Sequence, residues 1–260
     1  MPRFSANLSM LFREHPLPQR FDAAKRAGFG AVEIAFPYDH PLDELTDAKA
    51  RNRLDMTVIN LPAGDVMTGG PGLSAMPGRE DEFKKAVETA YPYLEALRPG
   101  AVNVLAGHPP ADEIGREKCL DVMAKNLAVA ATAFDGLGVR TIVEAINNVN
   151  RPGFLVHRTE QALDVIARAG VPSLGIEFDI YHMTIMGEDV VAGIATHKDK
   201  IGNIQFADDP GRHEPGTGKI DFERIFPALD AAGWTGYLAA EYIPSGKTED
   251  GLGWMKPYLD

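Results

Sequence analysis

The sequence predicts an α/β fold, a single (β/α)8 TIM barrel that spans residues 1–260 as one domain. Short β-rich runs alternate with amphipathic helical stretches along the 260 residues. The alternation gives about eight strand–helix units, which is the count and length expected of such a barrel. Glycines that end helices follow several of the helical stretches. No linker or low-complexity tract interrupts the alternation, which favours one domain.

Each β-rich run is followed by a helical candidate. In chain order the runs are RFSANLSM (3–10), AVEIAF (31–36), MTVINLP (56–62), AVNVLAG (101–107), RTIVEAI (140–146), SLGIEFDI (173–180), IGNIQFAD (201–208) and GYLAAEY (236–242). The helical candidates lie near residues 17–27, 41–53, 80–97, 111–136, 159–169, 189–199, 221–232 and 247–257. This alternation implies a parallel sheet. A doubly wound open sheet is the alternative, but its usual glycine-rich loop after the first strand is missing.

The composition is that of an ordinary globular chain with an excess of acids. The formal net charge is −11, which disfavours proteins that grip phosphate backbones, so we expect no nucleic-acid partner. The single cysteine, Cys119, excludes an internal disulfide and fits a reducing compartment. The N-terminal stretch lacks the apolar core of a signal peptide, and no window has the length of a membrane span. The expected location is therefore the cytoplasm, with no membrane partner.

Acidic and amide side chains end four consecutive β-rich runs. They are Glu144 in VEAIN, Asp179 in EFDIYH, Gln205 in IQFAD and Glu241 in AAEY. The active site of a parallel barrel lies at the carboxyl ends of its strands, so we expect these four side chains to converge. Three converging carboxylates repel one another unless protons or a cation hold them together.

This set of side chains favours a divalent cation. Three carboxylates and an amide carbonyl form an all-oxygen ligand set, which suits Mg²⁺ or Mn²⁺ better than Zn²⁺. The predicted ligands are therefore Glu144, Asp179, Gln205 and Glu241. A metal-free arrangement stays open, because crowding would raise the pKa of one glutamate and keep it protonated.

Four further residues are candidates for binding a substrate. His182 lies just beyond Asp179, and Asn60 ends the third β-rich run. Arg212 stands in a turn-rich segment after the seventh run, where its planar guanidinium suits a substrate carboxylate. Arg79 ends the long glycine-rich loop at residues 63–79, where it either binds an anion or pairs with Glu80 or Glu82 on the surface.

Several long motifs together resemble one known family. The motifs FSANLSMLF, FPYD, NLPAGD, PGRE, EAIN, FDIYHM, IQFADDP, EPGTG and EY closely resemble the hydroxypyruvate isomerase family of the xylose-isomerase-like TIM barrels. The resemblance runs from residue 4 to about residue 255. Characterised members of that family interconvert hydroxypyruvate and tartronate semialdehyde, and close relatives isomerise 2-oxo-tetronates.

The resemblance also implies roles for individual residues. Glu144 and Glu241 match the glutamates that act as proton donor and acceptor, and both also match metal-binding positions, as do Asp179 and Gln205. In related sugar epimerases the seventh-strand ligand is a histidine, so Gln205 leaves the identity and the necessity of the metal open. His182 and Arg212 match positions that contact substrate in the wider superfamily.

These implications lead to a functional hypothesis with stated alternatives. We expect an aldose–ketose type isomerase that acts on hydroxypyruvate through a cis-enediolate, with a divalent cation stabilising the enediolate. The main alternative is an isomerase of 2-oxo-tetronates or a ketose 3-epimerase. An endonuclease of the same fold would need several zinc ions and many histidines, and a non-catalytic sugar-binding barrel would be inert towards these substrates. Relatives often form dimers or tetramers, so a homo-oligomer is expected.

Overall fold

The computed structural model describes residues 1–259 and contains a closed barrel of eight parallel strands. The strands are β1 (Arg3–Asn7), β2 (Ala31–Ile34), β3 (Asp55–Asn60), β4 (Ala101–Asn103), β5 (Arg140–Glu144), β6 (Gly175–Asp179), β7 (Ile201–Phe206) and β8 (Tyr237–Ala240). Strands that follow one another in the chain are neighbours in the barrel, and β8 pairs with β1 to close it. The predicted (β/α)8 barrel is therefore confirmed.

Helices surround the barrel. They are α1 (Leu17–Arg26), α2 (Leu42–Asn52), α3 (Glu80–Leu97), α4 (Ala111–Ile114), α5 (Arg116–Phe134), α6 (Thr159–Ala169), α7 (Ile180–Ile185), α8 (Val190–His197) and α9 (Phe222–Ala231). Short 3₁₀ helices lie at Val66–Thr68 and Asp135–Leu137, and a longer one at Thr248–Tyr258. Within residues 1–259 no helix is both long and apolar enough to cross a membrane.

The structure corrects the sequence prediction at three helices. The helix predicted over 111–136 is divided at Gly115, whose φ of 97° is open to glycine but strained for other residues. The final helix is a 3₁₀ helix rather than an α-helix. Helix α7 was not predicted, and it begins directly after β6 because Asp179 caps it. That cap matters for function, since it brings His182 to the same end of the barrel as the strand ends.

Apolar side chains fill the layer between strands and helices. One connected core joins most of the buried apolar residues. Part of it is an aromatic cluster in which Phe206 packs edge-on against Phe4, Phe226 and Trp254. Aromatic pairs in this arrangement add stability beyond the area they bury. The cluster therefore ties β1 and β7 to α9 and to the C-terminal 3₁₀ helix.

The interior of the barrel is mostly polar. Barrel interiors of this class are usually packed with branched aliphatic side chains, and here a small separate cluster of Val58, Ala101 and Ile142 is of that kind. Polar side chains are buried on all strands but β8; they are Ser5, Asn7, Glu33, Thr57, Asn103, Thr141, Glu144, Glu177, Asp179, Asn203 and Gln205. Buried polar groups are costly without partners, so this interior requires a dense hydrogen-bond network.

Truncation of the central aromatic residue tests the packing between strands and helices. Phe206→Ala should lower the free energy of unfolding by about 3–5 kcal/mol, because the buried ring leaves a cavity. Chemical denaturation followed by circular dichroism measures the change. Tyr91→Ala, on the exposed face of α3, should cost less than about 0.5 kcal/mol. Equal effects of the two changes would contradict the assigned packing.

Candidate active site

Three carboxylates meet at the carboxyl end of the barrel. Glu144 is the last residue of β5, Asp179 is the last residue of β6, and Glu241 directly follows β8. Glu144 and Asp179 are buried, and the Glu241 side chain is only 16% exposed. The parallel strands of a closed barrel end on one rim, so the sequence positions of these acids bring them together.

The two carboxylate oxygens of Asp179 have different surroundings. Its Oδ1 accepts hydrogen bonds from the backbone N–H groups of Tyr181 (2.8 Å) and His182 (3.4 Å), so the carboxylate caps the N-terminus of α7. Its Oδ2 is buried and has no hydrogen-bond partner. Burial raises the pKa of Asp179, while Arg212 and the two capping N–H groups oppose the rise. The free oxygen therefore remains available to a ligand.

Arg212 supplies positive charge to the carboxylates. Its Nη2 pairs with the Glu241 carboxylate and lies 3.7 Å from Asp179 Oδ2. The guanidinium carbon lies 5.4 Å from the centre of the Tyr181 ring, within the range of a cation–π contact. Burial alone lowers the pKa of Arg212, but the surrounding carboxylates more than reverse this, so the guanidinium stays charged.

Asparagine amides also hold the two glutamates. Asn103 Nδ2 donates to Glu144 Oε2 at 2.9 Å. Asn7 Nδ2 donates to Glu241 Oε1 at 3.1 Å and to Glu33 Oε1 at 2.8 Å. Both amides come from the last residue of a strand, and neither was predicted from the sequence. The β-rich runs that contain Asn7 and Asn103 extend to residues 10 and 107 in the sequence, whereas the strands end at the asparagines. The missing signal was therefore the true end of each strand.

The environment shifts the pKa of both glutamates upward. Burial raises the pKa of Glu144 well above its usual range, and the charges of Glu241 and Asp179 raise it further. Burial raises the pKa of Glu241 to about 7, although the Arg212 guanidinium opposes the rise. A carboxyl group whose pKa is raised holds a proton more readily, so it can donate as well as accept one. This pair is therefore suited to general acid–base chemistry.

Comparison with known proteins identifies the family. The sequence profile described as "Xylose isomerase-like TIM barrel" matches residues 21–258. The chain belongs to this family. It is 41% identical to the hydroxypyruvate isomerase of Escherichia coli (strain K12), covering 99% of this chain and 100% of the relative. It is 39% identical to the 2-oxo-tetronate isomerase of Cupriavidus necator, covering 100% and 99% of the two chains.

Solved structures of the same fold extend the comparison. A Brucella melitensis protein described as an AP endonuclease of family 2 superimposes with a TM-score of 0.95 at 35% identity, and both chains are covered completely. A D-psicose 3-epimerase of Clostridium cellulolyticum shares the fold with a TM-score of 0.76 at 16% identity, covering 96% of this chain and 89% of the other. The curated relatives confirm the family predicted from the sequence and its class of activity, isomerisation.

The site also has buried side-chain atoms that could hold a metal ion. One ligand atom each of Glu144, Asp179 and His182 lies within 4.8 Å of the other two. Gln205 Nε2 donates to Glu33 Oε1 at 2.8 Å, so the opposite atom, Oε1, faces away and is buried without a partner. Two unpartnered buried oxygens, Asp179 Oδ2 and Gln205 Oε1, fit a hard divalent cation.

The structure brings six of the eight predicted site residues into this cluster. Asn60 ends β3 beside Asn103 of β4 and is half-buried. Its backbone carbonyl accepts a 2.7 Å hydrogen bond from the Tyr38 hydroxyl. The Asn60 side chain therefore lies on the same rim of the barrel as the carboxylates, but the described contacts do not join it to them.

Arg79 is placed differently. Its guanidinium binds Glu82 at 2.8 Å, Asp65 at 2.9 Å and the Gly72 carbonyl at 3.0 Å. Among residues 1–259 it forms no ion pair with the carboxylates of the cluster. Arg79 thus holds the loop after β3 against the start of α3. This is the pairing with acidic neighbours that the sequence analysis gave as the alternative to anion binding.

Removal of the Arg79 side chain tests this structural role. Arg79→Ala should accelerate limited proteolysis within residues 63–79, because Asp65 and the Gly72 carbonyl lose the guanidinium that binds them to the start of α3. Lys84→Ala, which removes an exposed surface pair with Asp81, is the matched control and should leave the cleavage rate unchanged. An unchanged cleavage rate together with a raised KM in Arg79→Ala would instead support substrate binding by Arg79.

Proposed function

We propose that the chain is a single catalytic domain that interconverts hydroxypyruvate and tartronate semialdehyde. The observation that carries this proposal is the pair of buried glutamates, Glu144 and Glu241, with raised pKa values beside a charged arginine. The 41% identity to a hydroxypyruvate isomerase over the full chain supports the same substrate.

The reaction moves two hydrogens between neighbouring carbons. Hydroxypyruvate carries a ketone next to a CH₂OH group. One glutamate removes a proton from the CH₂OH carbon, which leaves a cis-enediolate. The hydroxyl proton passes to the neighbouring oxygen, and the other glutamate returns a proton to the former ketone carbon. The CH₂OH carbon is thereby oxidised to an aldehyde, the ketone is reduced to an alcohol, and no external oxidant is needed.

The surrounding residues divide the remaining tasks. Arg212 offers a guanidinium that can bind the substrate carboxylate in the bidentate geometry such groups favour. His182 is buried, and burial together with the charges of Arg212 and Arg151 lowers the pKa of its imidazole well below the ordinary value. His182 is therefore neutral near pH 7, and it acts as a hydrogen-bond partner for a substrate oxygen.

A divalent cation, Mg²⁺ or Mn²⁺, fits the oxygen-rich ligand set proposed for it: Glu144, Asp179, Gln205 and Glu241. When bound, such an ion supplies Lewis-acid stabilisation of negative charge on substrate oxygens. A metal-free reaction is the alternative. In that case the ion pair with Arg212 favours the ionised form of Glu241 as the base. Glu144, whose pKa burial raises well above its usual range, carries the proton.

A second candidate function has an observation in its favour. The chain is 39% identical to a 2-oxo-tetronate isomerase over its whole length. The same pair of glutamates would act on such a substrate, because a 2-oxo-tetronate also carries a ketone beside an oxygenated carbon. Comparison of kcat/KM for hydroxypyruvate, 2-oxo-tetronates and free ketoses decides between these activities and a ketose 3-epimerase.

The proposed acid–base pair is tested by amide substitutions. Glu144→Gln and Glu241→Gln should each lower kcat for hydroxypyruvate by about 10²-fold or more, because an amide neither accepts nor donates the proton in the reaction. Glu160→Gln, an exposed residue on α6, is the control and should retain full turnover. Near-normal turnover in either site variant would remove that glutamate from the mechanism.

Metal binding is tested separately from catalysis. Isothermal titration of the protein with Mn²⁺ should show one site, and Asp179→Asn should weaken its affinity by about 10-fold or more, because a charged ligand atom is lost. Asp189→Asn, at the exposed N-cap of α8, should bind as the wild type does. Equal affinities in the two variants would place the ion elsewhere, and turnover that resists chelation would favour the metal-free reaction.

A further inference from the structure

A buried asparagine that the proposed mechanism does not use lies beside the active site. Asn147 follows β5, is fully buried, and places its Nδ2 2.6 Å from Nδ1 of His182. His182 reaches the site from α7, so this contact joins the loop after β5 to the helix after β6. The protonation of His182 Nδ1 depends on which atom of the Asn147 amide faces the ring.

The loop itself fixes the orientation of the Asn147 amide. The backbone N–H of Asn150 donates to Asn147 Oδ1 at 2.8 Å. A backbone N–H can only donate, so the atom that faces it must be the carbonyl oxygen. Asn147 Nδ2 also donates to Asn150 Oδ1 at 3.1 Å. The NH₂ group, and not the carbonyl, therefore points to His182.

A further hydrogen bond anchors this arrangement. The Tyr181 hydroxyl donates to Asn150 Oδ1 at 3.0 Å, so the residue that orients Asn147 is held by the residue next to His182. The network thus runs from the loop to α7 and back. A rotation of the Asn147 amide would place two donors together at Asn150 and is disfavoured for that reason.

The consequence is a defined tautomer of His182. A ring nitrogen that accepts a hydrogen bond carries no proton, so Nδ1 is unprotonated and the ring is not an imidazolium. The single proton of the neutral ring then lies on Nε2. Nε2 is 3.5 Å from Asp179 Oδ2 and 3.7 Å from Glu144 Oε1. Both distances exceed an ordinary hydrogen bond, which leaves the N–H free to bind another acceptor.

We propose that Asn147 is a positioning residue that makes His182 a neutral hydrogen-bond donor to a substrate oxygen. The same tautomer excludes His182 from the metal ligands, although its Nε2 lies close to Glu144 and Asp179, because a protonated ring nitrogen has no lone pair to offer. The tautomer follows from the contacts of the chain alone, whereas the donation to substrate rests on the proposed isomerase function.

The tautomer is measured directly in the unaltered protein. Nitrogen-15 NMR of the histidine rings at neutral pH distinguishes protonated from unprotonated ring nitrogens, and loss of signals in His182→Gln assigns the His182 pair. We expect an unprotonated Nδ1 and a protonated Nε2. A protonated Nδ1, alone or with a protonated Nε2, would overturn the proposal whatever the enzyme's substrate.

Two charge-matched variants then separate positioning from a general effect of charge. Asn147→Asp replaces the NH₂ group by an acceptor, so the proton of the neutral His182 ring should move from Nε2 to Nδ1. Nε2 then no longer donates, and kcat/KM should fall by about 10²-fold, as for loss of one aligned donor. Asn148→Asp adds the same charge on the adjacent exposed residue and should change neither the tautomer nor kcat/KM. Asn147→Ala removes the donor without adding charge, and its kcat/KM should also fall.

The results distinguish the failure of this proposal from failure of the proposed function. If the wild-type tautomer is as expected but hydroxypyruvate is not turned over, the substrate assignment is wrong and the tautomer assignment stands. If Asn147→Asp moves the proton from Nε2 to Nδ1 while the folded protein keeps its wild-type kcat/KM, the donation from Nε2 to substrate is contradicted.

Discussion

The structure depends on how several buried carboxylates are kept together. Glu144 and Asp179 end two strands of the barrel, and Glu241 directly follows a third. Besides burial, the charges of Glu241 and Asp179 raise the pKa of Glu144, and the charge of Asp179 raises that of Glu241. Like charges in a buried site repel strongly, so such a cluster needs a cation, protons or hydrogen-bond donors. Arg212 provides one positive charge, and the strand-end amides of Asn7 and Asn103 provide donors. The negative charge that remains on the carboxylates would be neutralised by a divalent ion or by a shared proton.

The same requirement explains the polar interior below the site. Glu33 accepts hydrogen bonds from Asn7, Thr57, Asn203 and Gln205. Glu33 therefore fixes the orientation of two amides at the site. The Asn7 amide also donates to Glu241, and the free oxygen of the Gln205 amide is a candidate metal ligand. A barrel interior of aliphatic residues would pack well but would leave these amides without fixed orientations. The apolar layer between strands and helices stabilises the fold and offsets the cost of burying polar side chains inside the barrel. Those polar side chains hold the groups of the site in place.

The strand ends could be predicted from the sequence, whereas contacts made by loops could not. Glu144, Asp179, Gln205 and Glu241 were found because the ends of parallel strands share one rim, a rule that needs no coordinates. Helix α7 was missed because the apolar run through Ile180 reads as a continued strand, and only the cap formed by Asp179 shows where the helix begins. The position of Arg79 depended on where the loop after β3 folds, which is a tertiary contact. The role proposed for Asn147 depends on the orientation of its amide, which the backbone N–H of Asn150 sets and which the sequence does not show.

The most direct test of the account is proton NMR of hydroxypyruvate turned over by the wild-type enzyme in D₂O. Proton transfer through two glutamates that exchange with solvent predicts deuterium at the former ketone carbon of tartronate semialdehyde, formed faster than in product incubated without enzyme. A direct hydride shift between the two carbons would instead give a product that keeps the hydrogen of the substrate. Product without enzyme-dependent deuterium would contradict the role assigned to the buried glutamate pair.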